Sequence, residues 1–259
     1  MHSGFTLPRE LAPHVRRARE LVRDRRRGGP EHLPTGVAAW DELLAGGLRR
    51  GATVELVGRP SSGRFALVLA LLAAVTGSGE AAALVDLGDG LDPQAARACG
   101  VDLERLLWLR PRTIKEALAG AETVLGCGPA LVVVDLGLPP LAGGRGAEAA
   151  WLRLARAARA RRTALVVSSP YRASGTAAAV VLELGRRRSL WRSGGGAPPL
   201  LCGLRAGLAV LKDRGRRPGA CVALRFDLES AVAAAGDDER AGCGGAATKA
   251  GAAVRRAVA

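Results

Sequence analysis

The sequence predicts an α/β fold: a mostly parallel sheet with helices on both faces and an antiparallel C-terminal edge. Three observations carry this. Residues 53–57, 81–86, 130–135 and 163–168 are short apolar runs without in–out alternation, as strands buried on both faces are. Helix-length segments separate them, the order of a parallel βαβ sheet. After residue 170 the helices stop, and residues 177–184, 201–211 and 221–228 follow as strand-like segments joined by turn-like stretches.

In chain order, residues 6–27 place Leu11, Val15, Ala18 and Val22 at spacings of three and four among arginines, a basic amphipathic helix. Arg25-Arg26-Arg27-Gly28-Gly29-Pro30 stops it and forms a linker. Thr35 is the expected cap of a helix that buries Trp40, Leu43 and Leu44 and stops at Gly46-Gly47. The strand 53–57 runs into Gly58-Arg59-Pro60-Ser61-Ser62-Gly63-Arg64-Phe65 and a helix apolar enough to be buried. Asp92-Pro93 reads as a helix cap with proline at the first helical position. Residues 106–109 form a short strand, and 113–125 and 147–161 are helices. From about 230 the chain is Ala/Gly-rich without strong periodicity, which predicts a disordered tail. The expected organisation is therefore an N-terminal helix and linker over 1–30, a core over 31–229 and a tail over 230–259.

Composition narrows the function. The 259 residues include 38 Lys and Arg against 24 Asp and Glu, a net charge of +14, and the only lysines are Lys115, Lys212 and Lys249. Such a surface attracts polyanions, nucleic acid first and an acidic protein second. Arg186, Arg187, Arg188, Arg192, Arg214, Arg216 and Arg217 cluster in the antiparallel region and are the candidate DNA contacts. The five cysteines form no C-x-x-C pair, so reduced thiols are expected and no metal site. No apolar run is long enough for a bilayer and the N-terminus has no apolar signal core, so the expected location is the cytoplasm and no membrane partner is expected.

Three places carry chemistry. The strand, the Gly-bounded loop and the following helix have the context of a phosphate-binding loop, with the spacing G-x-x-x-x-G-K-[ST]. Gly58 and Gly63 suit the tight turn, Ser61 and Ser62 lie within it, and the backbone N–H groups face an anion. Arg64 stands in the lysine position and Phe65 in place of the hydroxyl that binds magnesium. Asp135 ends the apolar run 130–135, where a ligand of a magnesium-bound water belongs, although a strand must also end in something polar. The third place is Val85-Asp86-Leu87-Gly88-Asp89-Gly90-Leu91-Asp92-Pro93, an acidic segment in which no residue makes a convincing general base.

Taken together, loop, acidic segment and apolar strand with its terminal Asp resemble the RecA/RadA-like recombinase core, a P-loop NTPase fold, over about residues 33–228. PTGVAAWDELLAGGLRRG resembles the opening segment of that family, VELVGRPSSGRFAL its phosphate loop and VVVDLG its Walker B strand. VDLGDGLDPQAARACGVDLERLLWLRP, the most specific stretch, is similar to the family segment that carries the catalytic glutamate, and LAVLKDRGRRPG looks like a late strand and turn. The resemblance implies ATP with its magnesium as ligand. The departures are Gly88 where the family has the glutamate, Arg64 and Phe65 in the loop, and Ser168-Ser169-Pro170-Tyr171-Arg172 where it has a sensor glutamine and a long DNA-binding loop.

Loss of three roles at once leaves phosphoryl transfer without its electrostatic and positioning groups. The pattern is similar to the ImuA-like accessory proteins of damage-induced (SOS) mutagenic translesion synthesis. That resemblance implies a Y-family-polymerase-like partner of the ImuB type and an error-prone replicative-type polymerase. The N-terminal helix would dock on such a partner or on a second copy of the chain. The expectation is a pseudo-ATPase, with ATP binding left open. Two alternatives remain: a DNA-dependent ATPase with a rebuilt site using Arg64 with Asp89 or Asp135, and a SulA-like division inhibitor that acts by protein contact alone.

Overall fold

The computed structural model describes residues 31–137, 147–193, 198–213, 219–227 and 233–235. The helix expected over 6–27 and the candidates Arg214, Arg216 and Arg217 lie outside them. The described chain begins with β1 (His32–Leu33), α1 (Ala38–Leu43), β2 (Leu48–Arg49) and β3 (Thr53–Gly58). Next come α2 (Arg64–Gly77), β4 (Ala82–Asp86), α3 (Pro93–Ala98), β5 (Leu106–Leu109), α4 (Ile114–Cys127) and β6 (Leu131–Asp135). It closes with α5 (Ala147–Arg161), β7 (Ala164–Ser169), β8 (Val180–Arg192), β9 (Leu200–Asp213), β10 (Cys221–Asp227) and β11 (Ala233–Ala235).

Nine of these strands form one sheet in the order β11-β10-β9-β8-β3-β7-β6-β4-β5. From β8 to β5 the neighbours are parallel; from β8 to β11 they are antiparallel. The predicted architecture is thus present. Its cause lies in the strands themselves. In β6, Leu131 and Val133 join one core cluster, which includes α2, while Val132 and Val134 join another, which includes α4 and α5. With a helical layer on each side, no strand face is left for polar residues. Helix α2 carries much of the first layer: Leu67, Val68, Leu71, Leu72 and Val75 are all buried, each worth roughly 1.5–3 kcal/mol relative to exposure.

Helix starts follow their signals where a side chain can reach back. The Asp92 carboxylate accepts from the Gln94 N–H at 2.8 Å and starts α3 with proline at its first position. Thr113 accepts from the Glu116 N–H at 3.2 Å and starts α4. The expected cap at Thr35 is a correction. Val37 occupies the cap position of α1 without a side-chain bond, while the Thr35 hydroxyl accepts from the Val37 N–H at 3.3 Å and donates to the Val37 carbonyl at 3.2 Å. Thr35 therefore closes a turn before the helix.

The antiparallel edge differs most from expectation. Strand β8 runs for 13 residues to Arg192, well past the expected end at 184, while β9 runs for 14 and ends at Asp213, close to the expected 211. Register shifts after Gly185 and after Leu190 absorb the irregularities, so pairing continues through the arginine run. Ala233–Ala235 pairs with β10, so the sheet extends beyond the expected boundary at 229. Cys99, Cys127 and Cys202 are free thiols, as expected. Cys221 is not: it is disulfide-bonded. No helix among the described residues is long and apolar enough to cross a membrane.

Candidate nucleotide site

The parallel strands bring three polar groups into one row at their carboxyl ends. Asp86 of β4 is level with Asp135 of β6, and Asp135 with Ser168 of β7. The loop after β3 arrives beside them, because β3 pairs with β7 with Leu56 level with Ser168. This is where open α/β sheets place their ligand sites.

The loop has the backbone of an anion cradle. Gly58 ends β3, and a Cβ there would lie 2.5 Å from the Ser62 hydroxyl oxygen. Ser61 has φ +57° and Gly63 φ +88°, so the chain turns through the left-handed region at both. Gly63 caps α2 with no side chain, which leaves the first N–H groups of the helix without a side-chain acceptor. The Ser62 hydroxyl is buried with no partner.

The charged groups point elsewhere. Arg64 opens α2, yet its side chain is 10% exposed and turns into the sheet end. Its Nη1 donates to the Asp135 carboxylate and to the Ser168 hydroxyl, and that hydroxyl donates to Asp135 Oδ1 at 2.5 Å. The other Asp135 oxygen accepts the Gly137 N–H at 3.2 Å. Asp135 is 96% buried in this pair, its side chain being 4% exposed. A buried carboxylate of this kind persists only with a close cation and further hydrogen bonds. Here the cation is the chain's own guanidinium.

Magnesium does not fit this arrangement. Phe65 offers no oxygen and lies among the hydrophobic residues packed on the core, and Asp135 is already bonded on both oxygens. The phosphate cradle is also covered. A Cβ on Gly63 would stand 2.6 Å from the Phe226 ring, so β10 lays an aromatic ring against the loop. Arg187 donates from Nη1 to the Pro60 carbonyl at 2.6 Å, pinning β8 to the same loop.

The acidic segment after β4 is structural in detail. Asp86, fully buried, accepts from the Gly90 and Leu91 N–H groups at 3.1 and 3.0 Å and from the Trp108 indole at 3.3 Å. It therefore ties the following turn and β5 to the sheet. Asp89 faces solvent and takes both arms of Arg110 at 2.6 Å, while the Arg110 guanidinium lies 4.9 Å from the Trp108 ring centre. The hydrogen bond from Arg110 holds the Asp89 carboxyl below its usual range. Gly88 is packed backbone to backbone: a Cβ there would meet the Gly137 Cα at 2.7 Å, and one on Gly137 would meet the Gly88 Cα at 2.5 Å. No side chain fits at position 88 without moving the main chain.

Two further polar residues emerge only in three dimensions. Glu55, fully buried in the middle of β3, accepts the N–H groups of Ala173 and Ser174, the latter at 2.9 Å. It thereby fixes the short connection after β7. One acid in an apolar strand was its only sequence signal. Ser168 was noted as a departure from the family pattern, but its bonds to Arg64 and Asp135 depend on strand register, which the sequence does not display. Of the seven nucleotide-site candidates, Gly58, Ser61, Ser62, Gly63 and Arg64 form the loop and helix start, Phe65 joins the core, and Asp135 meets Arg64. Of the arginine candidates, Arg187 meets the loop and Arg188 and Arg192 are exposed; Arg186 lies on β8.

Comparisons with known proteins agree with the fold. Residues 22–141 match the RecA N-terminal domain. The chain is similar to Protein RecA of Clostridium acetobutylicum, 41% identical over 103 residues, 39% of this chain and 30% of that protein. It is 42% identical over 105 residues to Protein RecA of Symbiobacterium thermophilum, covering 40% of this chain and 30% of that protein. The match to the protein of Acidothermus cellulolyticus is 40% over 112 residues, 43% of this chain and 32% of the other. The chain thus spans under a third of the length of these relatives. The crystal structure of the RadB recombinase superposes with a TM-score of 0.61 at 19% identity, covering 79% of this chain and all of the other. The chain has a RecA/RadB-like core fold.

Proposed function

We propose that this RecA-like core is a catalytically degenerate accessory protein of DNA repair, acting in damage-induced mutagenic translesion synthesis. Its partners in this reading are a Y-family-polymerase-like protein of the ImuB type, an error-prone replicative-type polymerase, and DNA. The observation that carries the reading is Arg64 seated on Asp135 and Ser168. In a phosphoryl-transfer site the loop cation faces the phosphates and the strand-end carboxylate holds the metal. Here each neutralises the other. The backbone contact at Gly88 and Gly137 supports the same reading, because it leaves no room for a water-orienting side chain. The loop keeps the backbone of a cradle, so ATP without metal assistance is its remaining candidate ligand, and its binding requires the Phe226 ring to move off Gly63.

The test is hydrolysis of ATP by the full chain with and without single-stranded DNA, together with co-purification with a polymerase-like partner of the ImuB type. The expected result is no DNA-stimulated turnover and a stable complex. Turnover that Asp135→Asn abolishes would establish the rebuilt ATPase instead. A complex without any DNA affinity would favour action by protein contact alone.

A further inference from the structure

We propose that the outer face of β8, β9 and β10 is a binding site for the backbone of single-stranded nucleic acid, with Arg188, Arg205 and Arg225 as its phosphate contacts. The proposal deepens the DNA arm of the reading above and rests on no other part of it. Arg205 is the register partner of Arg188 on one side and of Arg225 on the other. Directly opposed residues project from the same face of a sheet. All three are exposed, whereas Ala206 and Leu224, one position on in register, and Leu208, two residues beyond Ala206, are buried on the opposite face. Strands lie about 4.8 Å apart, so the row crosses about 10 Å of sheet.

The row is not a generic charged surface. Like charges directly opposed across strands lower stability, and among the described residues a single carboxylate ion-pairs with the row: Asp227, 2.9 Å from the Arg225 Nε. On one side the neighbouring register positions are Gly185, Gly207 and Ala223, which raise no wall beside the guanidinium groups; on the other they are Leu190, Gly203 and Asp227. Three arginines on a floor open along one side match a regular chain of phosphates, which guanidinium groups bind in bidentate fashion. Trp191, 59% exposed, lies three positions beyond Arg188 and so projects from the other face of the strand. The even spacing of the three guanidinium groups suits a repeating chain of phosphates and favours a nucleic-acid strand over an acidic protein. Arg187, committed to the Pro60 carbonyl, is not part of the row.

The test uses the full chain and a fluorescent oligodeoxythymidylate, with affinity measured over a salt series. The variant R188Q/R205Q/R225Q is compared with R153Q/R156Q/R161Q, which removes equal charge from α5. Each phosphate contact on a single strand contributes about 0.7 to the log–log salt slope, so the row variant should flatten it by about 2 while the α5 variant leaves it unchanged. Trp191→Ala, on the other face, should leave both affinity and slope unchanged. Melting curves of the row variant should match or exceed those of the parent at low salt, showing that the fold is kept. Equal slopes for the two triple variants would overturn the site while leaving DNA binding elsewhere intact. Polyglutamate competing as well as the oligonucleotide, or no binding by the parent, would also overturn it, and neither would touch the argument about Arg64 and Asp135.

Discussion

Arg64 and Arg205 carry the same guanidinium at opposite extremes of one sheet. Arg64 stands at the carboxyl end of the parallel strands, buried, with Asp135 and Ser168 bonded to it. Arg205 stands on the outer face of the antiparallel edge, exposed, between two more arginines. The difference teaches where function remains. A charge answered from within the chain contributes to folding and is withdrawn from ligands. A row of charges that the chain leaves largely unanswered lowers its own stability and is available to a partner.

The largest effects should fall on the answered charge. Arg64→Met leaves a buried carboxylate without its cation, and urea unfolding should show a loss of about 3–5 kcal/mol. Replacing both partners, Arg64→Met with Asp135→Leu, should recover most of that loss, since apolar pairs of similar size replace buried ion pairs at little cost. Equal destabilisation by the single and the double variant would break the comparison.

Next is Gly88→Glu, which restores the family's acidic residue by identity. Its Cβ would overlap the Gly137 main chain, so about 1–3 kcal/mol of stability should be lost without any gain in ATP hydrolysis. A stable, hydrolysing variant would show that the site needs only its missing residue. Smaller still is the change from R188Q/R205Q/R225Q, which should stay within about 0.5 kcal/mol of the parent, as surface substitutions usually do.

The smallest effect is a pH dependence. The hydrogen bond from Arg110 lowers the Asp89 carboxyl below its unfolded value. Its contribution is therefore present above the usual carboxylate range and is lost as pH falls through the lowered value. Asp89→Asn should lower stability slightly at neutral pH and make no difference well below the carboxylate range, so the acid limb of its stability–pH curve is slightly shallower.

Much of the parallel half was legible because its signals are local. Apolar runs without alternation located β3, β4, β6 and β7, and Asp92-Pro93 marked the start of α3. The phosphate loop was legible from its spacing, and Gly88 only through the resemblance of its segment to the recombinase family. What stayed hidden depends on pairing across the sheet. The arginines at 186–188 stand out in the sequence as candidate DNA contacts, but their place within β8 stayed hidden, because bulges that carry a strand through them leave no pattern in one chain. Arg205 and Arg225 are isolated in sequence and become neighbours only through the register of β9 and β10. For the same reason Arg64 looked available to phosphates: its contact with Asp135 spans 71 positions and needs β6 beside the loop. Thr35 misled in a different way, since a turn closed by its own hydroxyl has the same residue preference as a helix cap.

The most direct test of the central claim is the effect of magnesium on ATP binding by the full chain, measured by calorimetry for the parent and for Asp135→Asn. With Asp135 held by Arg64, the predicted result is the same ATP affinity, or the same absence of binding, with and without magnesium in both proteins. Magnesium-dependent tightening in the parent that disappears in Asp135→Asn would contradict it.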